Sequence, residues 1–402
     1  MPLVILALAG CTGTSSAVEV AAAPEQQVSE AVAGELTSFL QQVQADAKSS
    51  GAMAGVWAPG VGSWESAIGT VSSTDQAPMT TDMHVRLGTG GTQAMTCQVV
   101  AALADDGTLD LDADVSTYLP TMPGLTGMTL RQLCQHTSGL ADFATALWPT
   151  YLANPEREWP TLELVSAAQI HSAIAAPGVG WASSETGPLL AGLVVTAKTN
   201  RSWPDLYNEY IADRYGLSAT ELPSASTVDL PQPHPSGQSF GMSGPGSGPR
   251  CDVTLDVTRL SPSALGAAGG VVTTLADLRR LATGMAASPT SDQAWASPVP
   301  VGGSAPEWQT ADVGGTSSGV LHGFSGAAPG FLTAAFSDPK SGLTVAVSVN
   351  NSSAGSAFIA EAARGLAAIA AESGAAAGVD GMPGLGWATA DVRAAMDAKK
   401  VC

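Results

Sequence analysis

The stretch that decides the fold is VRLGTGGTQAMT, residues 85–96. Val85 to Gly88 reads as the end of a strand. Gln93 to Leu103 reads as a helix, because Ala94, Cys97, Val100 and Ala101 recur at helical spacing. Thr89-Gly90-Gly91-Thr92 reads as the turn between them. Such a junction sets a hydroxyl side chain beside the free amides of a helix start, a spot that favours negative charge.

Further segments sit around this junction. They are GTLDLDADVSTYLP (107–120), MTLRQLCQHTSGL (128–140), PGVGWASSETG (177–187), GAAGGVVTTLADLRRLATGM (266–285) and LHGFSGAAPGFLTAAFSDPKSGLTVAVSVNNS (321–352). With 85–96 they resemble the serine β-lactamase and D-alanyl-D-alanine carboxypeptidase superfamily, in its class C-like and esterase-like branch, over about residues 30–370. The resemblance implies an α/β (α+β) fold, with an antiparallel sheet flanked by helices and a mostly helical subdomain. The implied domain spans 29–373, its sheet part 29–88 and 265–373 and its helical part 89–264. Within it, Ser29 is placed to cap a helix carrying Val32, Leu36, Phe39, Leu40 and Val43 on one stripe. Pro59-Gly60-Val61-Gly62 and Asp338-Pro339-Lys340-Ser341-Gly342 read as hairpin turns. Residues 218–264 read as a long irregular excursion, and 374–402 as an appended tail.

The family's chemistry is replaced at each motif. Its Ser-x-x-Lys nucleophile motif, aligned on Arg86 and Gly88, falls on Thr89 and Thr92. Its Tyr-x-Asn falls on Ser183 and Glu185, with Trp181 at the preceding aromatic position. Its Lys-Thr-Gly or His-Thr-Gly strand falls on Phe324-Ser325-Gly326, with His322 two residues early. Two positions along a strand keep the face but shift a side chain about 6–7 Å. The family's oxyanion site uses backbone amides, here implied at Thr89 and Ala327. A hydroxyl is a poor nucleophile without an adjacent base, and threonine and serine at positions 92 and 183 cannot supply one. The family's His-Thr-Ser-Gly run is structural, so His136 is expected to be a satisfied buried histidine.

Charged residues are 13% of the 402 and the formal net charge is −19, which argues against nucleic acid and anionic lipid as electrostatic partners. No metal or cofactor motif is present, and no cysteine pair has C-x-x-C spacing. Residues 1–10 read as a lipoprotein signal peptide ending Leu8-Ala9-Gly10 before Cys11, the expected lipidation site. The basic region that normally opens such a signal is missing, which suggests a translation start upstream. Residues 11–28 read as a flexible tether. The expected location is therefore the outer face of the bacterial cytoplasmic membrane, reached through a lipid anchor only. With Cys11 lipidated, four cysteines remain in an oxidising compartment. The family packs the two helices that carry Cys97 and Cys134 close together, which implies Cys97–Cys134. Cys251 and Cys402, both in irregular segments, are proposed as the second pair.

Three functions follow. The first is a non-hydrolytic, lipid-anchored protein that binds a cell-envelope ligand or protein. The second is a rewired hydrolase using Thr89 or another serine, with Glu185 or His322 as base. The third is a structural envelope lipoprotein with a collapsed pocket.

Overall fold

The computed structural model describes residues 17–242, 249–287, 291–303 and 305–402. The expected signal segment and Cys11 lie outside the described residues.

Ser29 accepts from the Val32 amide and opens α1 (Glu30–Asp46), whose Leu36, Phe39, Leu40 and Val43 are buried. β1 (Gly51–Ala58) and β2 (Gly62–Gly69) form the first hairpin. The two-residue β3 (Val85–Arg86) then feeds α2 (Gly88–Asp105). The helical part follows with α3 (Leu130–Cys134), α4 (Phe143–Ala153), α5 (Thr161–Gln169), α6 (Thr186–Thr199), α7 (Trp203–Tyr207) and α8 (Asp213–Tyr215). α3 opens with a capping box between Thr129 and Gln132. β4 (Gln238–Met242) and β5 (Pro249–Asp256) make a separate hairpin inside the 218–264 excursion. β6 (Val272–Thr273) pairs with β3 and leads into α9 (Leu275–Ala286) and the short α10 (Ser291–Ala294). β7 (Val299–Pro300), β8 (Gln309–Asp312), β9 (Gly315–Ser318), β10 (Leu321–Ala328), β11 (Phe331–Ser337) and β12 (Thr344–Val349) return to the main sheet, and α11 (Ser356–Ala376) and α12 (Thr389–Asp397) close the chain.

The main sheet runs β2-β1-β12-β11-β10-β9-β8-β7 and is antiparallel. β1 joins the sequence-distant β12 through Ala52↔Val349 to Trp57↔Thr344, so both ends of the chain build one sheet. β1, β11 and β12 are buried along their whole length because both faces are covered. One face carries α1 and α11, and the other carries α2 and α9. This is the α/β (α+β) architecture the sequence implies. Gly365 lets α11 close on α1: a Cβ there would lie 2.0 Å from the Phe39 ring.

Two boundaries differ from the sequence reading. Residues 374–402 are no appended tail. α12 packs on α11 with Val392 and Met396 buried, and Trp387 stacks on Trp308 at 4.6 Å. Cys402 bonds Cys251, with their Cα atoms 6.2 Å apart. The alanine and glycine content of this segment hides a short amphipathic helix. Residues 17–28 are also tied down, where a free tether was expected. The Val18 amide donates to the Arg214 carbonyl, and the Val28 amide to the Ser63 carbonyl. The second disulfide, Cys97–Cys134, joins α2 to α3 with a Cα separation of 5.8 Å. Among the described residues no helix is long and apolar enough to cross a membrane.

Candidate active site

α2 starts one residue before Thr89. Gly88 has φ +80°, a conformation that glycine adopts without strain. The turn expected over 89–92 is thus already helical, and Thr89 stands in its first turn. The helix start meets β10 backbone to backbone. A Cβ on Gly90 would fall 2.0 Å from the Ser325 carbonyl oxygen, and one on Gly326 would fall 2.3 Å from the Gly90 nitrogen. The amides of Thr89 and Ala327 lie at the same junction, each 3.1 Å from a Cβ built on the glycine opposite.

α6 brings Glu185 to this helix start. Gly187 permits the approach, since a Cβ there would sit 2.4 Å from the Leu133 carbonyl oxygen of α3. The Glu185 carboxyl faces Thr89 and Asp142, and neutral acid is its favoured form. Burial raises its pKa well above the usual 4.5, the charge of Asp142 raises it further, and so does their shared hydrogen bond. A hydrogen bond with Thr89 pulls the other way and loses. Asp142 behaves oppositely. Burial would raise its pKa too, but hydrogen bonds from Glu185 and Thr145 and from the Ala144 and Thr145 amides outweigh that and hold it low. The reason is its place as N-cap of α4: the amides of Ala144 and Thr145 reach it at 3.0 Å, and the Glu185 amide at 3.3 Å. Asp142 is therefore the anion of the pair and Glu185 the acid.

The cleft beside these groups is a cavity of about 460 Å³. Thr89, Gln93, His136, Trp181, Ser183, Glu185 and Phe324 line its inner end. Ser183 is exposed, whereas Phe324 is 1% exposed. His136 Nδ1 lies 3.2 Å from the Ser184 carbonyl oxygen and 3.3 Å from the Ser184 amide nitrogen, and Trp181 meets its ring edge-on at 5.9 Å. Burial lowers the His136 pKa to about 4, so the ring is neutral near pH 7. Thr92, in the lysine's place, is 1% exposed and its hydroxyl has no protein partner. His322 is engaged elsewhere: Nδ1 lies 2.7 Å from the Ser317 hydroxyl and its ring stacks on Trp295 at 4.5 Å. The far end of the cavity carries Glu361, Arg364 and Lys399, joined as ion pairs at 2.7 and 3.0 Å.

A model of the beta-lactamase family matches residues 36–369. The chain belongs to the beta-lactamase family. D-aminopeptidase from Cereibacter sphaeroides is 29% identical over 196 residues, which is 48% of this chain and 36% of that protein. The match thus spans about a third of that relative's length. Among solved structures, the D-stereospecific amidohydrolase from Streptomyces sp. superposes with TM-score 0.68 at 24% identity, covering 81% of this chain and 95% of its own. The D-amino acid amidase from Ochrobactrum anthropi SV3, complexed with L-phenylalanine, gives 0.67 at 21%, covering 79% and 91%. A penicillin binding protein from Bacillus halodurans gives 0.62 at 18%, covering 78% and 94%. At these identities the likeness shows the fold.

Of the residues at the family's motif positions, Thr89, Ser183, Glu185, Phe324 and Ser325 line this cavity, and the Ala327 amide lies beside Gly88 at the helix start. Two participants are not singled out by the sequence. Asp142 lies 43 positions from Glu185, and only its N-cap pattern ahead of Phe143 marks it. Gln93 reads as an ordinary helix residue, yet it lines the cleft at 6% exposure.

Proposed function

We propose that this beta-lactamase family member does not hydrolyse substrate by the family's serine–lysine chemistry, but binds a cell-envelope ligand or protein in its cleft. One observation carries the reading. Burial first, and then the Asp142 charge, disfavour ionisation of the carboxyl that faces Thr89, so the hydroxyl meets a poor acceptor for its proton. His136 offers a poor substitute, since burial lowers its pKa and makes it a weak base. The lipobox-like Leu8-Ala9-Gly10-Cys11 and the two disulfides support a lipid-anchored place at the outer face of the cytoplasmic membrane. Intact mass after incubation with penicillin-type, p-nitrophenyl ester and fluorophosphonate probes tests the chemistry: the mass is expected to stay unchanged. A stoichiometric adduct lost in Thr89→Ala overturns the reading. Palmitate labelling that vanishes in Cys11→Ser is the expected result for the anchor.

A rewired hydrolase is the second reading, favoured by the hydrogen bond between Thr89 and Glu185. D-aminopeptidase and D-amino acid amidase among the similar proteins make amides its natural substrates. Glu185 must lose its proton before it accepts one from Thr89, so this activity would rise with pH and disappear in both Thr89→Ala and Glu185→Gln.

A further inference from the structure

Buried polar groups are nearly always paired, with protein, water or ligand. The inner end of the cleft breaks that rule twice on facing elements. Gln93, on α2 one turn beyond Thr89, is 6% exposed, lines the cavity, and its Nε2 has no protein partner. Trp181, in the segment before α6, lines the same cavity, and its buried indole Nε1 is likewise unpartnered. A side-chain amide presents both a donor and an acceptor, while an indole presents a donor only. Either group left dry costs stability that a ligand's polar atoms would restore.

The charges of the cleft say what kind of atoms these are. Phe324 stands where the family has a cation, and Thr92 where it has a lysine. Asp142 does not line the cavity and already takes three backbone amides. At the far end Glu361 occupies both Arg364 and Lys399. An anion at the inner end would lose water and find no cationic side chain there, and a cation would find only the Glu185 carboxyl, whose proton it would have to displace beside the Asp142 charge.

We propose, resting on the non-hydrolytic reading above, that the cleft takes an uncharged ligand bearing amide or hydroxyl groups, whose polar atoms pair with the Gln93 amide and the Trp181 indole N–H. Such atoms occur in blocked peptides and in neutral saccharides alike.

Calorimetric titration of the full chain tests this with four probes. Two are neutral, N-acetyl-D-alanyl-D-alanine amide and tri-N-acetylchitotriose. Two are charged, benzylpenicillin and D-phenylalanine amide. The expected result is binding of at least one neutral probe, and which one binds separates peptide from saccharide. That binding should weaken about tenfold in Gln93→Leu and in Trp181→Phe. Gln93→Leu nearly keeps its side-chain volume and should melt at or above the wild type, while Trp181→Phe removes the indole N–H at the cost of a smaller ring. A charged probe binding as tightly as the neutral ones overturns the inference. So does unchanged neutral binding in both variants, and so does binding of none of the four. A covalent adduct in intact mass speaks only against the non-hydrolytic reading, because the comparison of Gln93→Leu with wild type can still be read with Thr89→Ala in the background.

Discussion

Asp142 and Glu185 form a carboxyl pair in which the N-cap geometry of α4 chooses the anion. Three backbone amides fix the charge on Asp142, and Glu185 keeps the proton beside Thr89. The pair converts the family's amide position into a neutral acid. It also makes the stability of the fold depend on pH in a way that can be measured.

The folded pKa of Glu185 lies above its unfolded value of 4.5. Its contribution is then complete below pH 4.5 and is lost as pH rises through the raised folded value. Asp142 has a lowered folded pKa, so its contribution is present above 3.8 and is lost as pH falls through that lower value. Glu185→Gln mimics the neutral acid and should remove the first effect. Denaturant melts from pH 5 to 9 should show the wild type losing stability relative to this variant. Asp142→Asn should also flatten the slope, since asparagine still caps α4 but no longer repels a Glu185 carboxylate. A wild-type slope identical to that of Glu185→Gln would refute the proton assignment.

The Gly90 contact with Ser325 predicts a large steric effect from one methyl group. A Cβ at 2.0 Å from a backbone oxygen must push α2 away from β10. Gly90→Ala should destabilise by about 1–3 kcal/mol, although alanine favours a helix by roughly 1 kcal/mol in open surroundings. Gly34→Ala, where nothing lies within 4 Å on α1, serves as the control and should be neutral or stabilising. Equal melting temperatures for the two variants would show that the helix start has room to spare.

The Cys97–Cys134 bond closes 37 residues between two buried positions. By loop entropy its removal should cost about 3–4 kcal/mol. The double variant Cys97→Ala, Cys134→Ala should lose that much in denaturant melts. Cys402→Ser should instead loosen α12 locally, because the bond it breaks ties the chain end to β5. Faster amide exchange confined to 385–401 is the expected signature, and uniform exchange across the domain would contradict it.

The sheet was readable because its strands carry their own turns. Asp338-Pro339-Lys340-Ser341-Gly342 lies between runs of buried residues, and the observed β11 and β12 pair across it. Cys97–Cys134 is expected on the family's packing and Cys251–Cys402 as the pair left in irregular segments, and both bonds form. The carboxyl pair was not readable, since neither Asp142 nor Glu185 has a charged neighbour in sequence to mark it. Only the crossing of α3 by α6, allowed by Gly187, brings them together. The helix start was misplaced for a related reason. Glycines at 88, 90 and 91 signal a turn by propensity, but β10 needs them bare to let the helix pass. Residues 374–402 failed through composition: four spaced apolar side chains, Leu385, Val392, Met396 and Val401, are buried in an otherwise small and polar stretch.

Thr89→Ser, Thr92→Lys and Ser183→Tyr return the three reactive side chains of the family's motifs. Position 92 lies one helical turn beyond Thr89 and so on the same face. An ammonium introduced there would meet the Glu185 carboxyl near Thr89. The acid would then ionise against it, because an opposite charge nearby favours the charged form. The new lysine would be held protonated in an ion pair and would be unable to act as a base. The triple variant is therefore expected to show no ester turnover. Adding Glu185→Asn removes the competing carboxyl and restores the amide that the family motif carries. That quadruple variant should acquire slow p-nitrophenyl ester hydrolysis, with general base catalysis worth about 10²–10⁴-fold over the triple. The buried site at position 92 will resist the longer side chain, so both variants should lose about 1–3 kcal/mol of stability and be assayed well below their melting temperatures. Comparable turnover in the triple and quadruple variants would show that Glu185 does not control the protonation of the site.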